Sequence, residues 1–150
     1  MVPKTEFKDL DYQFSIEIVK NIPIELKNEF KKTLSVIDKE LINFYFQLNK
    51  DPKINYLICI EGNHIGYSSI HEDDTYWNLY EIYIKEEFRE LGLGTRLFQL
   101  IKKDSQKEGK RVRTYTLPSD RRAKNFYESN MTTARVLIME EKRSRSRYKI

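Results

Sequence analysis

Phe88-Arg89-Glu90-Leu91-Gly92-Leu93-Gly94-Thr95-Arg96-Leu97 (FRELGLGTRL) lies between two periodic segments of unlike kind. Before it, residues 76–84 (YWNLYEIYI) read as a strand. After it, Leu93, Leu97, Leu100 and Ile101 trace an amphipathic helix to about Glu108, with Gly109 as its stop. The chain has only 5 glycines in 150 residues, and two of them fall here, flanked by arginines. A dinucleotide-binding fingerprint needs a third glycine and a leading βαβ unit, and neither is present. A P-loop needs Gly-Lys-Ser/Thr, which Thr95-Arg96 does not supply. Two readings stay open. The stretch is a turn joining strand to helix, or it is an anion cradle. Glycines at a helix start leave unpaired N–H groups open at the positive end of the dipole, where a phosphate can approach them. Arg89 adds charge and Thr95 a hydroxyl.

The rest of the chain bounds the choice. One hundred and fifty residues suit a single domain over 1–150, with a core at about 12–142. No apolar run approaches the ~20 residues that span a bilayer. The start, MVPKTEFKDLD, has no apolar h-region, so no secretory signal is expected. A single cysteine, Cys59, forms no intramolecular disulfide and points to a reducing, cytoplasmic setting. The net charge of +4 is concentrated at the end: EEKRSRSRYKI carries five basic and two acidic side chains. That basic tail, 142–150, reads as a solvated end, because no base-stacking or groove-reading motif accompanies it.

Along the chain, residues 12–19 read as a strand, and Pro23 is placed to start a helix. Leu26, Phe30, Leu34, Ile37, Leu41, Phe44 and Leu48 follow at helical spacing, with Ser35-Val-Ile-Asp38 dividing the run in two as a capping box. Strands are expected at 55–61 and 64–71 around a Gly62-Asn63 turn, and at 76–84. After the central helix come a strand at 111–117, a helix at 120–129 and a last strand near 135–141. The order β-α-α-β-β-β-α-β-α-β is a mixed α/β domain with a largely antiparallel first half.

Arg89-x-x-Gly92-x-Gly94, after a strand and opening a helix, resembles the acetyl-CoA pyrophosphate motif of the GNAT superfamily of N-acetyltransferases. A second block, Asp120-Arg-Arg-Ala123-Lys-Asn-Phe126-Tyr127-Glu128, is similar to that family's Asn-x-x-Ala-x-x-(apolar)-Tyr-Glu helix. The two blocks agree in order, spacing and element type, and the resemblance covers about residues 12–142. It implies a central mixed, mostly antiparallel sheet of about six to seven strands flanked by about four helices. It also implies acetyl-CoA as cosubstrate, without a metal. Two positions depart from the pattern: Asp120 stands where the family often has Asn, at a contact to the pantetheine arm, and Asn130-Met131 replaces the usual Gly-Phe.

Carried onto this chain, the resemblance assigns the pyrophosphate to the loop Arg89, Glu90, Leu91, Gly92, Leu93, Gly94 and Thr95. It assigns polarisation of the thioester carbonyl to backbone N–H groups around Ile82, Tyr83 and Ile84, freed by a bulge and a strand splay. Tyr127 matches the general-acid tyrosine, set against a core-packing tyrosine. An ammonium must lose a proton before attack, because a lysine-like amine has a pKa of about 10.4. Glu81 is the candidate base; alternation puts it opposite Tyr80, Ile82 and Ile84, and the competing reading is a solvated strand glutamate.

Other residues carry less. His64 and His71 flank turns, and with one cysteine they have no zinc spacing. Cys59 sits in an apolar run and reads as core. Glu72, Asp73 and Asp74 make an acidic turn; half of Tyr76, Trp77, Tyr80 and Tyr83 must face the core. The leading expectation is acetyl transfer to a primary amine, by direct attack in a ternary complex. A catalytically inactive acyl-CoA-binding module and a nucleic-acid binder using the basic tail are the alternatives. Acceptors from peptide amines to polyamines and aminoglycosides stay open, as does a homodimer.

Overall fold

A two-residue loop at Glu61-Gly62 closes a hairpin in the middle of the sheet. Glu61 and Gly62 both adopt positive φ (47° and 85°), and Ile60 pairs with Asn63 across them. That is the primed turn whose twist matches a hairpin, one residue earlier than the Gly62-Asn63 turn expected. The computed structural model describes residues 4–9, 12–48, 50–51 and 53–141.

Six strands form one sheet in chain order: β1 (Lys4–Asp9), β2 (Tyr12–Val19), β3 (Ile54–Ile60), β4 (Asn63–Glu72), β5 (Tyr76–Ile84) and β6 (Arg111–Thr114). All neighbours are antiparallel except β5 and β6, whose parallel crossover is the glycine loop and its helix. Four helices flank the sheet: α1 (Ile24–Ile37), α2 (Ile42–Gln47), α3 (Leu93–Lys107) and α4 (Arg121–Ser129). The expected mixed, mostly antiparallel architecture is what is observed.

Each face of the sheet has its own core. Ile58, Ile70, Leu79, Leu97, Phe98, Ile101 and Tyr127 gather under α3 and α4. Leu26, Phe30, Leu34, Tyr45, Leu57 and Tyr67 gather under α1 and α2. Cys59 is buried in this second cluster, as a core reading requires.

Five further expectations are corrected. Strand β1 adds a polar edge (KTEFKD) with no apolar alternation to announce it. The helical run divides at Asp38, not Ser35: the Ser35 hydroxyl bonds back to the Lys31 carbonyl inside α1, and the Asp38 carboxylate accepts from the Glu40 and Leu41 N–H groups (3.1 Å each). Strand β6 ends at Thr114 rather than at 117, because Tyr115 leaves the ladder. Residues 135–141 form no strand. Their apolar side chains Val136 to Met139 are exposed, and no described strand pairs with them; an apolar run without a neighbour does not make a sheet. The fifth concerns the faces of β5 and belongs to the site. The basic tail lies outside the described residues. Among the described residues, no helix is long and apolar enough to cross a membrane.

Candidate active site

The site begins where β5 and β6 part. They pair from Tyr76–Arg111 to Leu79–Thr114 and no further, while β5 continues to Ile84 against β4 alone. At the parting point the β4–β5 register slips: Ser69 opposes Glu81 and Ile70 opposes Leu79, so Tyr80 is an extra, bulged residue. The slip changes which residues share a face. Trp77 and Leu79 point into the α3–α4 core before it, and Ile82 and Ile84 do so after it. Tyr80 stacks on Tyr115, at 4.5 Å between centroids and 18° between planes, and Tyr115 packs on the α1–α2 cluster. Glu81 accepts a 2.7 Å hydrogen bond from the Tyr67 hydroxyl of that same cluster. Tyr80 and Glu81 therefore share the α1–α2 face, which corrects the alternation that had set them opposite one another.

The bulge also aims the backbone. The Glu81 carbonyl is taken by the Ser68 hydroxyl of β4 (2.8 Å), and the Tyr83 carbonyl lies beside Gly66 of β4. Alternation then turns the N–H groups of Ile82 and Ile84 toward the gap left by β6. Gly66 is needed there, since a Cβ would sit 2.7 Å from the Tyr83 oxygen. The opened pair of strands is a fork, and Ile82 and Ile84 line it with backbone donors, whereas the Tyr83 carbonyl points into the sheet.

From the end of β5 the chain enters the glycine loop. Glu90 (φ 69°) and Gly92 (φ 76°) both take the left-handed conformation, and the second of them begins α3. Gly92 offers no capping side chain, and the first bond across it runs from the Arg96 N–H to the Gly92 carbonyl (3.0 Å). The N–H groups of Leu93, Gly94 and Thr95 are thus left without intrahelical acceptors at the positive end of the helix. The Leu93 side chain is buried in the core, so this residue offers only its backbone. Arg89 bends back: its Nε–H donates to the Ile84 carbonyl (2.7 Å), and its guanidinium lies 5.4 Å from the Tyr83 ring centroid. It ties the loop to the end of the strand. Gly94 faces α4, where an added Cβ would come within 3.2 Å of Phe126.

Helix α4 starts at Asp120, whose carboxylate accepts from the Ala123 N–H (3.1 Å); this residue is an N-cap. Two turns further, Tyr127 is buried among Phe98 and Phe126. Its hydroxyl makes no hydrogen bond among the described residues. Burial, and then the charge of Asp120, pushes the hydroxyl well above the ordinary tyrosine range, so it holds its proton through neutral pH. Glu81 is 3% exposed, which removes the reading of a solvated strand carboxylate. Burial and the Glu81 charge likewise push Tyr67 up, so the Tyr67 hydroxyl is a donor to that carboxylate.

Two residues at the fork were not anticipated, Tyr45 and Tyr67. A signal for the fork itself was present: the apolar phase of YWNLYEIYI passes from odd positions (77, 79) to even ones (82, 84), which is a bulge written in sequence. No local pattern marks Tyr45, because its partners are brought to it by tertiary structure. His64 and His71 stand apart from the fork on β4. Among the described residues, no group of three or more His, Cys, Asp or Glu could hold a metal ion.

A parallel strand pair that forks and leads into a glycine-headed, uncapped helix is the architecture that β5, β6 and α3 present. The sequence profile of the acetyltransferase (GNAT) family matches residues 21–131, and the chain belongs to that family. The fold is shared with a protein from Pyrococcus furiosus described as an acetyl transferase, at 20% identity and a TM-score of 0.68, over 86% of this chain and 99% of that one. It is shared with a GNAT family acetyltransferase from Elizabethkingia anophelis with acetyl-CoA bound (20% identity, TM-score 0.57, 77% and 73% covered). An aminoglycoside acetyltransferase from an uncultured soil metagenomic sample, in complex with trehalose, gives 17% identity and a TM-score of 0.63 over 89% and 97%. No curated protein matches the chain.

The residues present fit acetyl-CoA. The helix start presents three N–H groups and no side chain at position 92, suited to a pyrophosphate. The fork presents an unpaired strand edge, suited to the amide-bearing pantetheine arm.

Proposed function

We propose that the protein transfers the acetyl group of acetyl-CoA to a primary amine, by direct attack in a ternary complex. The observation that carries this reading is the continuity of fork and cradle: β5 loses its partner after Leu79 and runs, through Arg89, into the uncapped start of α3. Acetyl-CoA supplies an activated acyl thioester. The Gly92–Thr95 backbone holds its pyrophosphate, and Ile82 and Ile84 orient the arm and donate N–H groups to the thioester carbonyl, as preorganised donors do for a developing oxyanion. Asp120 contributes by fixing the start of α4, the helix that carries Tyr127.

Two proton carriers stand on opposite faces of the fork. Tyr127, on the α3–α4 side, is protonated at neutral pH and delivers a proton to the departing thiolate. Glu81, on the α1–α2 side and held by Tyr67, takes the proton from the amine, directly or through one water. The acceptor is an amine-bearing small molecule or a peptide.

Calorimetric titration with acetyl-CoA, on the wild type and on Gly92→Glu, tests this. The substitution strains a left-handed position and puts a carboxylate in the cradle. Binding to the wild type alone is expected. Absence of binding to both would reduce the two glycines to a turn and end the acetyltransferase reading.

A further inference from the structure

The fork needs a cause. Two parallel strands that pair as far as Leu79–Thr114 have every reason to keep pairing, since each further step gives partners to groups otherwise left open. The bulge at Tyr80 turns the backbone, but Tyr80 and Tyr115 still stack in contact just past the last pair. What separates their main chains comes from outside the sheet. Tyr45, on α2, is 5% exposed, and its hydroxyl donates to the Tyr80 carbonyl and lies 3.1 Å from the Tyr115 carbonyl. Those are the first residues of each strand beyond the ladder. One hydroxyl proton thus faces the carbonyls of both residues at the point where the ladder stops.

We infer that Tyr45 is a positioning residue: its hydroxyl ends the β5–β6 ladder and keeps the Ile82–Ile84 edge of β5 unpaired for the pantetheine arm. The inference rests on the acetyl-CoA reading for its ligand and on the geometry of the fork for its mechanism. Its surroundings keep the hydroxyl protonated. Burial raises it well above the tyrosine range, and the charges of Glu81 and Asp120 add to that. It remains a donor throughout the working pH range. Helix α2 thereby shapes the cosubstrate site without lining it.

Tyr45→Phe removes the hydroxyl and keeps the ring, which packs on Phe46 at 5.7 Å. Tyr56→Phe is the matched control. It deletes another buried tyrosine hydroxyl, bonded to Asp104 at 2.7 Å, away from the fork. Amide hydrogen exchange across residues 81–84 of the free protein separates a wedge from an ordinary stabilising contact, because the two predict opposite signs. Loss of a stabilising contact speeds exchange, whereas loss of a wedge lets the strands zip and slows it, here by about threefold or more. Acetyl-CoA affinity should fall about tenfold in Tyr45→Phe and hold in Tyr56→Phe, a loss of about 1.4 kcal/mol. Exchange in Tyr45→Phe that is unchanged or faster overturns the wedge whatever the affinity does. Failure of the wild type to bind acetyl-CoA defeats the acetyltransferase reading instead, and the exchange result still decides the wedge.

Discussion

The two halves of β5 are made of similar residues and do different things. Tyr76–Leu79 is hydrogen-bonded to a strand on either side, and Trp77 and Leu79 are sunk in the α3–α4 core. Tyr80–Ile84 is held on one side only, and its other edge faces the fork. One inserted residue and one tyrosine from a neighbouring helix divide the halves. A strand can therefore be interior to a sheet for half its length and an edge for the rest, with no change in composition to mark the boundary.

The sharpest way to break that comparison is to damage each half in turn. Leu79→Ala, in the doubly paired half, should cost about 2–5 kcal/mol of stability by opening a fully buried cavity. Thermal or urea unfolding measures this, while kcat per folded molecule should hold. Tyr127→Phe should do the reverse. Its hydroxyl makes no bond among the described residues, so the melting temperature should move little. The kcat should fall about 10²-fold with the acetyl-CoA KM nearly unchanged. Unaltered turnover would remove Tyr127 from the mechanism.

Glu81→Gln sharpens the contrast inside the bulge. The amide oxygen still accepts from Tyr67, but the charge and basicity are gone. The kcat should drop about tenfold or more across the pH–rate profile. A profile identical to wild type would leave Glu81 a buried structural acid. The smallest effect belongs at the entrance to the paired half, where the Asp73 carboxylate accepts from the Thr75 and Tyr76 N–H groups and from Asn78. Those bonds, the Tyr76 N–H foremost, lower its pKa to about 2. A depressed folded-state pKa stabilises above the unfolded value of about 3.9, and that contribution is lost as pH falls toward 2. The small stability gap between wild type and Asp73→Asn should accordingly close between about pH 4 and pH 2, as read by melting scans.

Periodic segments were legible, and so was the glycine-headed start of α3. Residues 12–19 and 93–107 carry their faces in their spacing, whereas 76–84 changes phase at Tyr80, and Gly92 announces a backbone that needs no side chain. Strand β1 was not legible because KTEFKD shows no apolar alternation; its backbone pairs along the edge of β2. The break at Asp38 was misplaced because Ser35 satisfied a capping pattern yet bonded backward into its own helix. The fork was harder still. Its phase change could be seen, but the hydroxyl between the strands joins residues far apart in the chain, and no window along the sequence contains them. Residues 135–141 teach the same rule from the other side, since an apolar run becomes a strand only where an edge receives it.

The contact of Gly94 with Phe126 has a consequence for how this site can vary. Helix α3 near its start and helix α4 near its end touch where one has no side chain and the other a large one. Tyr127 follows Phe126 directly, so bulk added at 94 is transmitted as a tilt of α4 and displaces the phenol along with the ring. The two segments are in this sense one packing unit. A larger residue at position 94 would need a smaller one at position 126, or the start of α3 and the end of α4 would be pushed apart.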